Sequence, residues 1–184
     1  MADEGSLACV ARTQWLADHV RDIPDFPRPG IVFRDITPLL ADPAAFAMAI
    51  DAMVAGVGDR RVDKVVGIEA RGFIVAAPVA YRLGAGFVPV RKRAKLPGLV
   101  EGEDYALEYG TDRLEIHADA VTAGEAVLVV DDVLATGGTA EATVALVERL
   151  GATVMRMAFV IELDFLGGRR RLEGYDTTSL LHYR

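Results

Sequence analysis

The chain has 184 residues, enough for one domain with a sizeable core, and 52% of them are hydrophobic, which excludes a disordered chain. Its net charge of −7 argues against general binding to nucleic acid or to acidic membrane surfaces. The single cysteine, Cys9, excludes an intrachain disulfide and a cysteine-based zinc cluster. Because we find neither an N-terminal signal pattern nor an apolar run of membrane-spanning length, we expect a cytoplasmic protein.

The first third of the sequence predicts two helices with a break between them. A helical pattern over residues 7–22 is followed by residues 23–30, whose three prolines and one glycine end it. Asp42-Pro43 then predicts a helix start, because an acidic N-cap followed by proline is favoured there. Residues 30–36 predict either a strand in a small lobe or a cover for a flat heteroaromatic ring.

The remaining sequence alternates between strands and helices. Strands are predicted over residues 62–68, 86–91, 105–109, 114–117, 126–130, 153–161 and 179–183, and helices over residues 73–83 and 140–150. This alternation predicts an α/β fold with a mainly parallel sheet and helices on both faces. Ligands bind such sheets beyond the carboxyl ends of the strands.

The most informative motif follows the strand predicted over residues 126–130. Two adjacent acids, Asp131 and Asp132, precede the small-residue loop 135–139, and a helical pattern begins there. The carboxylates can accept hydrogen bonds from the vicinal diol of a ribose, and the loop and helix start suit a phosphate. The motif is not a P-loop or a dinucleotide fingerprint, since it lacks Gly-Lys-Ser/Thr and its acids precede its glycines. A purely structural strand–turn–helix is the alternative.

Two further segments place charge at predicted strand ends. Residues 91–95 (RKRAK) carry four cations in five positions, which suits a diphosphate better than a solvated basic loop in so acidic a protein. Residues 67–73 (GIEARGF) predict a tight strand-to-helix turn whose backbone amides, together with Arg71, suit the same anion. Their alternative role is a structural corner.

Residues 96–104 (LPGLVEGED) are rich in glycine and acids, which is typical of a mobile lid. Glu108 lies between two tyrosines in the string YALEYG that follows, and a glutamate at the root of a lid is a candidate acid/base group. The alternative is a solvent-facing glutamate in an exposed strand.

These strings together resemble the type I phosphoribosyltransferases, and within them the adenine phosphoribosyltransferases. The matching strings run from about residue 23 onward and include FPRPGIVFRDITPLL, GIEARGF, VPVRKRAKLPG and YALEYG. The Asp-Asp loop matches only the broad family, whereas VFRDI, RKRAKLPG and LEYG make the resemblance specific. It implies one domain over residues 1–184, with a hood from about 23–40 and a flexible lid from about 95–110. It also implies transfer of 5-phosphoribosyl from phosphoribosyl pyrophosphate to adenine, giving AMP and pyrophosphate, with Mg²⁺ held mainly by the substrate and a homodimeric assembly.

The resemblance assigns roles by position. Glu108 matches the acid/base carboxylate near purine N7, and the other assignments cover the ribose (Asp131, Asp132), the 5-phosphate (Ala135, Thr136, Gly137, Gly138, Thr139), the pyrophosphate (Glu69, Ala70, Arg71, Arg91, Lys92, Lys95) and the adenine (Val32, Phe33, Arg34, Leu163). Glu69-Ala70 departs from the Asp-Ser of many relatives. The peptide bond at this position is commonly cis in the fold, and alanine removes one hydroxyl from the pyrophosphate pocket.

Two other functions are compatible with the motifs. A phosphoribosyltransferase for a 6-oxopurine would share the ribose-phosphate loop, although the VFRDI and LEYG strings resemble the adenine group. A non-catalytic sensor of phosphoribosyl pyrophosphate could share the fold. The acidic charge, the short segment before the shared region and the presence of Glu108 favour an enzyme instead.

Overall fold

The computed structural model describes the backbone of residues 4–106 and 111–184, and side chains from residue 10 onward except those of residues 106–110. The chain divides into two compact units, Met1–Ala52 and Met53–Arg184. Among the described residues, no helix combines the length and apolar character that a membrane span requires.

The first unit contains helix α1 (Glu4–Ala17), strands β1 (Arg21–Pro24) and β2 (Val32–Asp35), and helix α2 (Thr37–Ala41). Helix α3 (Pro43–Val57) starts in this unit after Asp42, whose carboxylate accepts the Ala44 and Ala45 N–H groups as an N-cap should. The predicted helix 7–22 was too long at its carboxyl end, because residues 21–24 pair antiparallel with β2 instead.

Opposite charges face each other across the β1–β2 hairpin. Arg21 pairs with Asp35, with Nη2 2.6 Å from Oδ2, and Asp22 pairs with Arg34. Thr37 also donates its N–H and its hydroxyl to Asp35 Oδ1, and these bonds together with those of Arg21 lower the pKa of Asp35 to about 2. The hairpin is therefore specified by charge pairing across the strands, which a helical pattern along the chain does not reveal.

The second unit is built on a seven-stranded sheet in the order β5-β6-β4-β3-β7-β8-β9. Its elements are β3 (Lys64–Ile68), α4 (Gly72–Leu83), β4 (Gly86–Lys92), β5 (Val100–Ala106), β6 (Thr111–His117), β7 (Ala126–Leu134), α5 (Gly138–Arg149), β8 (Thr153–Leu163), two short 3₁₀ helices (Asp164–Leu166 and Gly168–Leu172) and β9 (Thr177–Tyr183). Strands β4, β3, β7, β8 and β9 run parallel, and β6 and β5 add an antiparallel edge. The predicted mainly parallel α/β sheet is confirmed.

Helices α4 and α5 cover opposite faces of the sheet. A side chain at Gly67 would meet Ala76 and Phe73 of α4, so this position of β3 faces that helix. Its neighbours Val66 and Ile68 belong instead to the core cluster that includes Val144 and Val147 of α5. Because successive residues of a strand point to opposite faces, the two helices lie on different sides.

The strand boundaries of the sheet differ from the sequence-based ones most in β5, β6 and β7. Strand β7 continues to Leu134, so Asp131 and Asp132 belong to the strand. Strand β6 begins at Thr111, and β5 covers residues 100–106, where glycine and acids had suggested only a mobile lid. The backbone of β5 pairs with β6 along its whole length, and such pairing does not depend on apolar side chains. The lid therefore stays a prediction about movement.

Candidate functional site

Three neighbouring parallel strands, β4, β3 and β7, deliver the charged segments that the sequence indicated. Arg71, just after β3, places its Nε 2.7 Å from Oδ2 of Asp132 in β7. Glu69, also after β3, receives hydrogen bonds from the side chain of Arg91 and from the backbone N–H of Lys92 at the end of β4. The predicted meeting of these segments at one edge of the sheet is present in the structure.

Asp131 and Asp132 are adjacent and almost fully buried. Asp131 Oδ1 accepts the backbone N–H of Asp132, whereas Oδ2 of Asp132 accepts no hydrogen bond among the described residues. The Arg71 guanidinium is close to Oδ2 but out of line with an N–H bond, so their contact is ionic. One buried carboxylate oxygen is thus left to accept a hydrogen bond from a ligand.

Burial raises the pKa of Asp131 well above its ordinary value, and the charge of Asp132 raises it further. Burial also raises the pKa of Asp132, although the Arg71 guanidinium opposes this rise. Hydroxyl donors or a cation placed against the pair would favour the charged forms. The electrostatics of this pair therefore favour a ligand that supplies such groups.

Gly72 begins helix α4 and makes room for this pair, a role that the sequence did not distinguish from a structural corner. A Cβ atom at Gly72 would collide with the Asp131 carboxylate and approach its Cα to 3.3 Å. The sixth position of the GIEARGF string, Gly72, therefore leaves room for the carboxylate of the neighbouring strand, which explains glycine there.

The loop 135–139 leads from β7 into helix α5. Gly137 has φ +83°, in the left-handed region that favours glycine, and α5 begins at Gly138. The first-turn N–H groups of an α-helix lack acceptors within the helix, so the loop and the helix start can bind an anion together. Thr136 is exposed and Thr139 is half-buried, which leaves the loop accessible from solvent.

Gly168, which no sequence motif indicated, packs against this loop from the second 3₁₀ helix. A Cβ atom at Gly168 would lie 2.8 Å from the Gly137 nitrogen, and one at Gly137 would lie 2.6 Å from the Gly168 carbonyl oxygen. The two backbones therefore touch without room for side chains. Only the fold reveals this, because the two glycines are far apart in the sequence.

The basic segment after β4 is shaped by carboxylates and by its own backbone. Arg91 donates to Glu69 and to the Lys95 carbonyl, and Glu115 accepts the N–H of Ala94. The Arg91 and Lys92 bonds lower the pKa of Glu69 although burial alone would raise it. The Glu69 side chain thus orients Arg91 and Lys92. The Glu69–Ala70 peptide bond is cis, as is common at this position in the fold that the sequence resembles.

The remaining predicted site residues are divided between the two units. In the first unit, Val32 is exposed, Phe33 packs edge-on against Phe26 with ring centres 5.3 Å apart, and Arg34 pairs with Asp22. In the second unit, Leu163 ends β8 and is half-buried. Glu108 lies outside the described residues, between β5 and β6.

A separate group of possible metal ligands lies at the ends of β8 and β9. Carboxylate oxygens of Glu162 and Asp164 and a ring nitrogen of His182 lie within 4.8 Å of one another. Arg169 binds both oxygens of Glu162, and Ser179 donates to one of them at 2.7 Å. These bonds satisfy Glu162 within the protein, so this cluster serves the packing of the 3₁₀ segment against β9.

The comparisons with known proteins show the family of the chain. Residues 38–180 match the family described as the phosphoribosyl transferase domain. An adenine phosphoribosyltransferase from Acidothermus cellulolyticus is 61% identical over 166 residues, which are 90% of this chain and 94% of that protein. The crystal structure of adenine phosphoribosyltransferase from Thermoanaerobacter pseudethanolicus superposes with a TM-score of 0.90 at 51% identity, covering 93% of this chain and 99% of that one.

A third relative has been solved with ligands. Adenine phosphoribosyltransferase from Saccharomyces cerevisiae, complexed with adenine and an imino-altritol bisphosphate, superposes with a TM-score of 0.89 at 41% identity. The match covers 94% of this chain and 99% of that chain. The likeness therefore extends over nearly the whole length of both proteins.

Replacing both Asp131 and Asp132 with asparagine tests their role in ligand binding. We expect affinity for phosphoribosyl pyrophosphate to fall on the order of a hundredfold or more, since each lost charge-assisted hydrogen bond is worth about 1.5–3 kcal/mol. Because burial disfavours the charged carboxylates, the variant should unfold at an equal or higher denaturant concentration at neutral pH. Titration calorimetry and urea unfolding measure the two quantities.

The matched control is Asp59→Asn, which removes one charge from an exposed turn after α3. It should leave affinity unchanged. Unchanged affinity in the double variant would remove the two acids from the site, and a large loss of stability would show that their role is structural.

Proposed function

The chain belongs to the adenine phosphoribosyltransferases, a branch of the phosphoribosyltransferase family, and from this premise we propose how its residues transfer 5-phosphoribosyl from phosphoribosyl pyrophosphate to adenine. The products are AMP and pyrophosphate, so the reaction salvages a free purine base. The observation that carries the proposal is the pairing of charges between the ends of β3, β4 and β7. This pairing brings an acidic pair, a basic segment and a phosphate-type loop to one edge of the sheet.

The ribose and its phosphate occupy the β7 side of this site. Asp131 and Asp132 accept hydrogen bonds from the ribose hydroxyls, and burial makes such bonds stronger than they would be in water. The 5-phosphate binds the loop of Ala135, Thr136, Gly137, Gly138 and Thr139, where the α5 start offers its amides and its positive dipole end. The left-handed Gly137 supports this loop conformation.

The pyrophosphate occupies the side of β3 and β4. Its oxygens bind the backbone amides around Glu69 and Ala70. They also bind four cationic side chains, those of Arg71, Arg91, Lys92 and Lys95. These groups stabilise the negative charge that pyrophosphate gains as the bond from ribose C1 to its oxygen breaks. The leaving group departs with the bonding electron pair, and nearby carboxylates stabilise the positive charge that develops at C1.

The acidic pair also fits the Mg²⁺ that the family implies. Two adjacent buried carboxylates with raised pKa values, one of whose oxygens accepts no hydrogen bond among the described residues, suit a ligand that carries positive charge. Mg²⁺ held mainly by the substrate would neutralise charge on the leaving group. Asp131 and Asp132 are the residues whose carboxylates would help to hold it.

The resemblance assigns adenine binding to the predicted hood residues Val32, Phe33 and Arg34, and it gives Leu163 the same role. The N9 atom of adenine attacks ribose C1 as the bond to pyrophosphate breaks. The ring must then lose one proton, and Glu108 as a carboxylate accepts it from N7. This assignment depends on the resemblance and on the place of Glu108 in the YALEYG string.

The assembly and the location complete the proposal. We propose a homodimer, and the exposed apolar face of α4, with Ile74 and Tyr81 two turns apart, supports a surface that another copy covers. Sedimentation at assay concentrations would detect a monomer. The proposed location is the cytoplasm.

The substrate assignment is tested by following formation of the purine nucleoside monophosphate and of pyrophosphate from phosphoribosyl pyrophosphate with adenine, hypoxanthine or guanine, each with and without Mg²⁺. We expect a nucleotide product, AMP, only with adenine, with formation of pyrophosphate in equal amount and dependence on Mg²⁺. Preference for hypoxanthine or guanine would indicate a 6-oxopurine enzyme. Binding of phosphoribosyl pyrophosphate without turnover of any base would indicate a sensor.

Substituting Glu108 tests the proposed proton acceptor. Glu108→Gln keeps the size and hydrogen-bonding reach of the side chain but cannot accept the proton, and Glu108→Leu loses both properties. We expect kcat to fall by about 10²–10⁴-fold, with leucine the worse, because general acid–base help has that magnitude. Affinity for phosphoribosyl pyrophosphate should change little.

Rapid-mixing measurements of a single turnover would separate this chemical step from product release. A normal chemical rate in Glu108→Gln would make Glu108 a residue that only positions the base. Loss of phosphoribosyl pyrophosphate binding in both variants would instead place Glu108 in the lid or the diphosphate site.

A further inference from the structure

Asp112, the second residue of β6, joins two parts of the second unit. Its Oδ2 lies 3.2 Å from the Lys92 ammonium nitrogen, and it accepts a hydrogen bond of 3.2 Å from the Tyr105 hydroxyl. Its Oδ1 accepts the N–H of Arg113 at 2.8 Å. Tyr105 is its direct cross-strand partner in β5, so the hydroxyl that holds the carboxylate is fixed by the sheet register.

Carboxylates therefore contact Lys92 at both its backbone N–H and its ammonium group. Glu69 accepts its backbone N–H at 2.9 Å, and Asp112 pairs with its ammonium group. The Lys92 side chain nevertheless remains 55% exposed. Since an ammonium group has three donors, one contact with Asp112 leaves donors for an anionic ligand.

The protonation states support this arrangement. The Arg113 N–H lowers the pKa of Asp112, and Lys92 lowers it further, so the carboxylate is charged at neutral pH. Burial and the Asp112 charge raise the pKa of Tyr105 to about 12, so its hydroxyl keeps the proton that it donates. Lys92 and Asp112 therefore form an ion pair, and the Tyr105 hydroxyl holds the Asp112 carboxylate in place.

We propose that Asp112 is a positioning residue of the pyrophosphate site, which holds the Lys92 ammonium group where pyrophosphate oxygens bind. This inference rests on the proposed function, because Lys92 binds pyrophosphate only within that proposal. A free lysine side chain has considerable rotational freedom, and fixing it before binding reduces the entropy lost when the ligand arrives. Tyr105 supports Lys92 indirectly by fixing Asp112.

The test is a double-mutant cycle with Asp112→Asn, Lys92→Gln and both together. Asparagine keeps an acceptor for Tyr105 but removes the charge that holds Lys92. We expect Asp112→Asn to raise the KM for phosphoribosyl pyrophosphate roughly two- to tenfold, with kcat little changed. In the Lys92→Gln background the same change should have no further effect, since the group it positions is gone.

The charge-matched control is Asp119→Asn, in the exposed turn after β6, which should leave KM unchanged. The inference is overturned if Asp112→Asn raises KM equally in the wild-type and Lys92→Gln backgrounds, or if it raises KM in neither. Tyr105→Phe gives a second measurement, and we expect a smaller KM increase that also disappears in the Lys92→Gln background. If the wild-type protein makes no AMP, the proposed function fails. If it does and the cycle shows no coupling, only the role of Asp112 fails.

Discussion

The ion pair between Arg71 and Asp132 is the contact on which the rest of the site depends. It joins the segment after β3 to the interior of β7, and the bonds of Glu69 join the same segment to the end of β4. Parallel strands bring their carboxyl ends to one edge of the sheet, where buried charges require partners. Here acid–cation contacts between neighbouring strand ends provide those partners and also fix the groups in place.

The acidic pair shows how function opposes stability at this edge. The folded protein would be more stable with Asp131 and Asp132 neutral than with both charged, because burial raises their pKa values. In the proposed mechanism the ligand offsets this cost, because its hydroxyls and the bound cation would favour the ionised forms. On the opposite side the basic segment is stabilised by Glu69, Asp112 and Glu115. Contacts within the protein therefore orient both halves of the site, which reduces reorganisation during the reaction.

Local sequence patterns predicted the features that depend on neighbouring residues in the chain. Apolar runs indicated the strands of the parallel sheet, and the acids and glycines after them indicated the ribose-phosphate motif. Strand β1 escaped prediction because it depends on charge pairing with β2, and most of β5 escaped because backbone pairing with β6 replaces an apolar pattern. Gly168 and Asp112 could not be selected, since their roles depend on residues that only the fold brings close.

The most direct test of the acidic pair is the number of protons released when ribose 5-phosphate binds at mildly acidic pH. Calorimetry in buffers of different ionisation enthalpy measures this number for the wild-type protein and for the variant with asparagine at positions 131 and 132. Because burial raises both pKa values and ribose hydroxyls favour the charged forms, we expect proton release by the wild-type protein beyond any seen in the variant. Equal proton exchange by two proteins that both bind the ligand would contradict this account.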